Sequence, residues 1–156
     1  MPSLAQFNEI NNNFDGMPVR VEPIPGKGLG LVAQHDMEAG VPTCYYFVRL
    51  YKIARVQQSP YLIGSGGAAG YVGALFRDSF RPPGDDRIPY VAPIANEPTG
   101  RNGEPNCRLR DETPPNRWLR KTSLVTLRSV RKGEELVWDY GPDYGPRAYE
   151  SRYDSM

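Results

Sequence analysis

The stretch Gly133-Glu134-Glu135-Leu136-Val137-Trp138-Asp139-Tyr140-Gly141 decides how this chain of 156 residues is read. Ahead of it Arg131-Lys132-Gly133 forms a charged turn, Leu136-Val137-Trp138 is a short β-prone run, and Gly141-Pro142 stops the strand. A tyrosine at the end of such a strand, here Tyr140, either aims its phenol into a cleft or packs a sheet edge with its hydroxyl in water. The residues upstream decide between the two.

The length is that of one domain, enough for one real core and one site. Lys and Arg number 19 against 18 Asp and Glu, a net charge of +1, so no bulk electrostatic drive toward nucleic acid or an anionic membrane exists. No apolar run has the length of a membrane span, and the start Met1-Pro2-Ser3-Leu4-Ala5-Gln6 lacks the basic and apolar segments of a signal peptide. The expectation is a soluble, intracellular protein. Cys44, Cys107 and the single His35 make neither a disulfide framework nor a four-ligand zinc site, so no metal centre and no histidine-based triad are expected.

Glycine and proline, 16 of each, are scattered between short Val, Ile, Tyr and Leu runs, the pattern of many short strands joined by turns. Helical periodicity is confined to 51–58 and 70–80, so the expected fold class is mostly β with short helices. Residues 1–16 are polar and Asn-rich and read as an N-terminal extension, with a short helix over 4–10. Val19 to Ile24 alternates as a strand, Pro25-Gly26-Lys27-Gly28-Leu29-Gly30 follows, and Leu31-Val32-Ala33 resumes the strand. Three glycines in five residues let a ligand approach the backbone, and a tight turn accounts for them equally well. A dinucleotide site is excluded because strand, not helix, follows the glycines. Asp36-Met37-Glu38-Ala39-Gly40 is a turn, 41–51 is a strand bearing Tyr45-Tyr46, and Ser123 to Leu127 is another. Gly64-Ser65-Gly66-Gly67-Ala68-Ala69-Gly70 lacks the Lys-Ser/Thr of a P-loop and reads as a surface loop.

Taken in order, the glycine loop, the tyrosine six residues after Gly40, Asn96-Glu97-Pro98 with Pro105-Asn106-Cys107, Gly133-Glu134-Glu135-Leu136 and Asp139-Tyr140 resemble the signature of SET-domain protein-lysine methyltransferases. The resemblance runs from Val19 to about Tyr144 and is to a minimal form without cysteine-rich zinc modules. It implies a SET (β-clip) fold of small sheets with a C-terminal pseudoknot, the domain covering 17–145, a variable insert over about 51–90, and an aromatic tail over 146–156. Two departures stand out: Glu97 occupies the usual histidine position, and 99–104 and 111–116 are insertions. The implied function is S-adenosylmethionine-dependent methylation of a protein lysine, with a histone tail as substrate and a nuclear location in that case. A catalytically inactive SET-fold module that docks a peptide or chromatin partner is the alternative. Direct nucleic-acid or membrane binding is not expected.

The chemistry suits these residue types. Methyl transfer is an in-line displacement, so alignment at about 3–3.5 Å and exclusion of water are the protein's main contributions. The attacking amine must be neutral although a free lysine has a pKa of about 10.4, and an apolar, aromatic channel beside a sulfonium favours that form. Tyrosines desolvate the lysine stem and orient the amine without adding charge. By the resemblance, Tyr140 is the catalytic tyrosine and Tyr46 a second hydroxyl at the amine. Lys27, Gly28, Leu29, Gly30, Asn96 and Glu97 line the cofactor site, with the methionine part against the glycine loop and Asn96. Trp138, Tyr144 and Leu109 line the substrate channel, Trp138 standing where family members carry a residue that limits the number of methyl groups.

Overall fold

In a computed structural model of the chain, residues 16–52, 71–75, 91–99, 103–112 and 119–140 are described. Their strands are β1 (Val19–Ile24), β2 (Gly28–Ala33), β3 (Pro42–Lys52), β4 (Tyr71–Leu75), β5 (Cys107–Asp111), β6 (Leu119–Thr126) and β7 (Glu135–Leu136), with a 3-10 turn at Ala92–Ile94. They form two antiparallel sheets, β1-β2-β7 and β4-β3-β6-β5. No helix among these residues is long and apolar enough to cross a membrane.

Alternation explains β1, where Val19 and Val21 are buried and Arg20 is exposed. Leu31, Val32 and Ala33 of β2 are all buried, because this central strand is covered on both faces. The core gathers these residues with Met37, Cys44, Tyr46, Val91, Ala92, Ile94, Ala95, Cys107, Leu124, Val130 and Leu136.

The two sheets obey one pattern, related by an approximate two-fold. Positions 33 and 126, 37 and 130, and 40 and 133 are each separated by 93 residues, and the backbone bonds that join the two sets are equivalent under exchange of the halves. Met37 N donates to Val130 O at 2.8 Å and Val130 N to Met37 O at 2.9 Å; Gly40 N donates to Thr126 O at 2.8 Å and Gly133 N to Ala33 O at 2.9 Å. Both turns end on a glycine with positive φ, Gly40 at 83° and Gly133 at 88°. Registers match as well. Val19 to Pro23 pair with Ala33 to Leu29, as Cys107 to Asp111 pair with Thr126 to Thr122. Val32 faces Glu135, and Val125 faces Pro42. Each sheet therefore takes its third strand from the other half of the chain. That exchange ties the halves into one cooperative unit.

The symmetry is broken at one useful place. Thr126, where the first half has Ala33, donates its hydroxyl to Glu38 O at 2.7 Å and accepts from Val41 N at 2.9 Å.

The strands expected from sequence are present, with shifted ends. The helix expected over 70–80 is not: 71–75 form β4, antiparallel to β3, and Tyr51–Lys52 finish β3 instead of opening a helix. Val72 is β-branched and Gly73 is a poor helix former, and a sheet edge offers their backbone groups partners that an isolated short helix lacks. The remainder of both expected helices, the helix over 4–10, the glycine-rich 64–70 loop, and the tail over 146–156 lie outside the described residues.

Thr126→Val keeps the shape and removes both side-chain bonds, leaving the part-buried Val41 amide and Glu38 carbonyl without that partner. Urea denaturation is expected to show a loss of about 1–3 kcal/mol in unfolding free energy.

Candidate functional site

Three segments converge on Glu135. Its position opposite Val32 in the β2–β7 pair puts its side chain beside the glycine loop that leads into β2. Lys27 Nζ donates to Glu135 Oε1 at 3.2 Å and to the carbonyl of Glu97 at 2.9 Å. Asn96 Nδ2 donates to Glu135 Oε2 and to Leu29 O, both at 3.0 Å. The Lys27 side chain is 5% exposed and that of Glu135 22%, so solvent screens the pair little.

Gly30 makes this convergence possible. A Cβ on it would stand 2.5 Å from Ile24 Cγ1, 2.8 Å from Asn96 Nδ2 and 2.9 Å from Glu135 Oε2. Space opens again two residues earlier, where a Cβ on Gly28 would meet nothing within 4 Å.

After β7 the chain passes between Asn96 and Cys107. Val137 bridges Asn96 and Trp138 bridges Cys107, both in parallel. Asn106, 1% exposed, clamps the passing backbone: its Nδ2 donates to Glu135 O at 2.8 Å, its Oδ1 accepts from Val137 N at 2.8 Å, and its own N donates to Val137 O at 3.1 Å. On the other side Trp138 N donates to Asn96 O at 3.0 Å. Two residues on, the Tyr140 hydroxyl donates to Ala95 O at 2.5 Å and its ring lies 4.9 Å from that of Trp138, tilted by 59°. The indole nitrogen of Trp138 is enclosed and has no hydrogen-bond partner.

The residues singled out from sequence fall into groups. Lys27, Leu29, Gly30, Asn96 and the Glu97 carbonyl come together around Glu135, and Gly28 is exposed at the open end of the loop. Glu97 itself, at the position where the family carries histidine, is 1% exposed. Trp138 and Tyr140 pack against each other, and Trp138 and Leu109 both lie against the core. Tyr46 is 2% exposed and is a member of that core, together with Ala95, whose carbonyl holds Tyr140. Tyr144 lies outside the described residues.

Sequence reading missed Glu135 and the clamp role of Asn106. The signal for Glu135 was weak: one acidic residue in a short strand reads as its solvent face.

Both cysteines are buried and free. Burial pushes the Cys107 thiol up to about 12, Arg128 pulling the other way, and raises Cys44 further. Both stay protonated at neutral pH, so neither serves as a thiolate nucleophile. At the end of β5 the Ser123 hydroxyl, 2.6 Å from Glu112 Oε1, and the Arg110 guanidinium hold the Glu112 carboxyl below its usual range.

No family model matches this sequence, and no curated protein does. Solved structures match by shape. One, a Plasmodium falciparum protein assigned as a histone methyltransferase, is 10% identical with a TM-score of 0.58, over 80% of this chain and 94% of its own. Another, KRYPTONITE in complex with mCHH DNA, H3(1-15) peptide and SAH, is 18% identical with a TM-score of 0.56, over 79% of this chain. The present chain spans 23% of the KRYPTONITE chain. The fold is that of the SET-domain methyltransferases.

Two alanine substitutions separate crowding from backbone strain. Gly28→Ala meets open space but a φ of 80°, and is expected to cost about 1–2 kcal/mol in denaturant unfolding. Gly30→Ala meets no φ penalty and three atoms inside 3 Å, and is expected to cost more, up to about 3 kcal/mol, by overpacking.

Proposed function

We propose that the chain is a protein-lysine methyltransferase that uses S-adenosylmethionine. The observation that carries this is the threaded segment 135–140, which brings Tyr140 onto the carbonyl of Ala95, the residue next to Asn96 of the Asn96–Glu135–Lys27 cluster. A tyrosine held by its hydroxyl at the end of a threaded strand, beside a glycine loop with open space, suits a small cofactor on one side and a lysine on the other. The fold supports the same reading, since its structural relatives include histone methyltransferases, one of them bound to SAH and an H3 peptide.

The residues present fit the cofactor. Gly28 leaves room for a ligand against the backbone, while Asn96, through Leu29 O, and Lys27, through Glu135, hold that loop in place. When bound, S-adenosylmethionine would supply a methyl group on a cationic sulfur, the leaving group for transfer to a neutral lysine nitrogen that afterwards gives up a proton to solvent.

Tyr140 has one hydroxyl proton, and it is given to Ala95 O. What its oxygen offers an incoming amine is therefore acceptance of an N–H, which turns the nitrogen lone pair toward the methyl carbon. The Trp138 and Tyr140 rings remove water from the lysine stem and so favour the neutral amine. In the buried core Tyr46 adds a second phenol, and Leu109 an apolar wall.

A peptide containing lysine, such as a histone tail, is the substrate class this reading assigns. The catalytically inactive docking module keeps one supporting observation, the burial of Glu97 in place of the family's histidine. A methyl-transfer assay with labelled cofactor and histone peptides separates the two, because turnover excludes the inactive module.

Tyr140→Phe is expected to remain folded and to lower the transfer rate at saturating cofactor by about 10²-fold, through loss of amine alignment. A rate within a factor of about three of the wild type would remove Tyr140 from the mechanism. Trp138→Phe, with its smaller ring, is expected to shift products toward more methyl groups per lysine. Mass spectrometry showing an unchanged product distribution would remove Trp138 from that role.

A further inference from the structure

Asn96 has an amide whose two ends are not equivalent, and its surroundings choose between them. Both hydrogens of Nδ2 are committed, one to Leu29 O and one to Glu135 Oε2, each at 3.0 Å. Both partners are acceptors only, so the flipped amide would set oxygen against oxygen twice. The orientation is therefore dictated by its neighbours. Among the described residues Oδ1 accepts no hydrogen bond, and it is not enclosed, since the indole nitrogen of Trp138 is the enclosed side-chain atom that lacks a partner. Asn96 thus presents an acceptor, and a group that meets it must be a donor.

Glu135 is in turn held in place. Lys27 takes its Oε1, Asn106 takes its backbone carbonyl, and Gly30 leaves the gap through which its Oε2 reaches Asn96. A carboxylate accepts from both neighbours at once; a glutamine in its place accepts from one and opposes the other with an NH₂.

We propose that Glu135 is a positioning residue that fixes the Asn96 amide with Oδ1 outward, so that the site selects the ammonium of a ligand's amino-acid moiety. The inference rests on the cofactor reading above, which lays that moiety along the Gly28–Gly30 backbone beside Asn96. It adds a residue that touches no ligand and still sets which chemical group is recognised. Loss of Glu135 weakens binding of ligands that carry the ammonium and leaves the adenosine part alone.

The test is calorimetric, with two ligands that share adenosine and a thioether. S-Adenosylhomocysteine carries the amino-acid moiety; 5′-methylthioadenosine lacks it. In Glu135→Gln the affinity for S-adenosylhomocysteine is expected to fall about tenfold or more, the scale of one charge-assisted hydrogen bond, with methylthioadenosine changed by less than about threefold. In an Asn96→Ala background the same substitution is expected to change neither affinity, because Glu135 acts through Asn96. Equal losses for both ligands, or an effect that persists without Asn96, overturn the assignment and leave Glu135 a structural residue. Should the melting curve show Glu135→Gln unfolded, the Lys27→Met, Glu135→Met double variant repeats the comparison. It removes the paired charges together, a change that interiors tolerate, and still deletes the hold on Asn96. Wild-type protein that is folded and binds neither ligand overturns the cofactor reading itself, a result distinct from loss of selectivity in the variants.

Discussion

Asn106 imitates a β-strand with one side chain. Through its amide and its own backbone nitrogen it makes three bonds to the backbone of 135–137, all between 2.8 and 3.1 Å. The site depends on this clamp. It fixes where β7 ends and keeps Trp138 against Asn96 and Cys107, and from there Tyr140 reaches the Ala95 carbonyl. A side chain buried to this degree with all its polar atoms satisfied is costly to replace, because any hydrophobic substitute leaves backbone groups of 135–137 unpaired in the core.

The approximate two-fold gives the clamp something to close against. Each turn, ending on Gly40 or Gly133, is bonded to the other half of the chain, and each sheet borrows its third strand from the other half. The threaded segment is the continuation of one borrowed strand. In the other half the matching strand, β3, runs on for eleven residues and pairs with β4. The pattern yields a plain sheet on one side and, on the other, a short strand followed by the threaded segment that ends on Tyr140. Side chains depart from the symmetry at Thr126 against Ala33, and at Glu135 against Pro42.

The electrostatics of the site follow from the same geometry. A lysine with 5% exposure would be unfavourable alone, and it is tolerated because a carboxylate and a carbonyl both accept from it. The pair is better understood as a means of orientation than as a source of net stability, since the desolvation of two charges offsets most of their attraction. Both hydrogens of the Asn96 amide are used in that arrangement, and among the described residues its oxygen accepts no hydrogen bond.

Much of the architecture was legible locally. The alternation in Val19 to Ile24, the turns closed by Gly40 and Gly133, and the β-prone run before Tyr140 each depend on neighbours a few residues away, and they appear where the pattern puts them. Even the two-fold left a trace, in Leu31-Val32-Ala33 and Leu124-Val125-Thr126, each seven residues ahead of a turn glycine. Residues 71–75 were misread as helix because a strand at a sheet edge is stabilised by its partner, β3, which lies far back in the chain. Glu135 was missed for a related reason. Its partners Lys27 and Asn96 stand 108 and 39 positions away, and nothing in a short strand announces which distant side chains will face it. The sequence by itself determined β1, β2, β3, β6 and β7, the turns and the order of the motifs, because those follow from side-chain alternation and backbone sterics. Only the tertiary structure decided which polar groups meet and which end of the Asn96 amide is committed to Leu29 and Glu135, because hydrogen-bond pairing in a core is settled by packing across the whole chain.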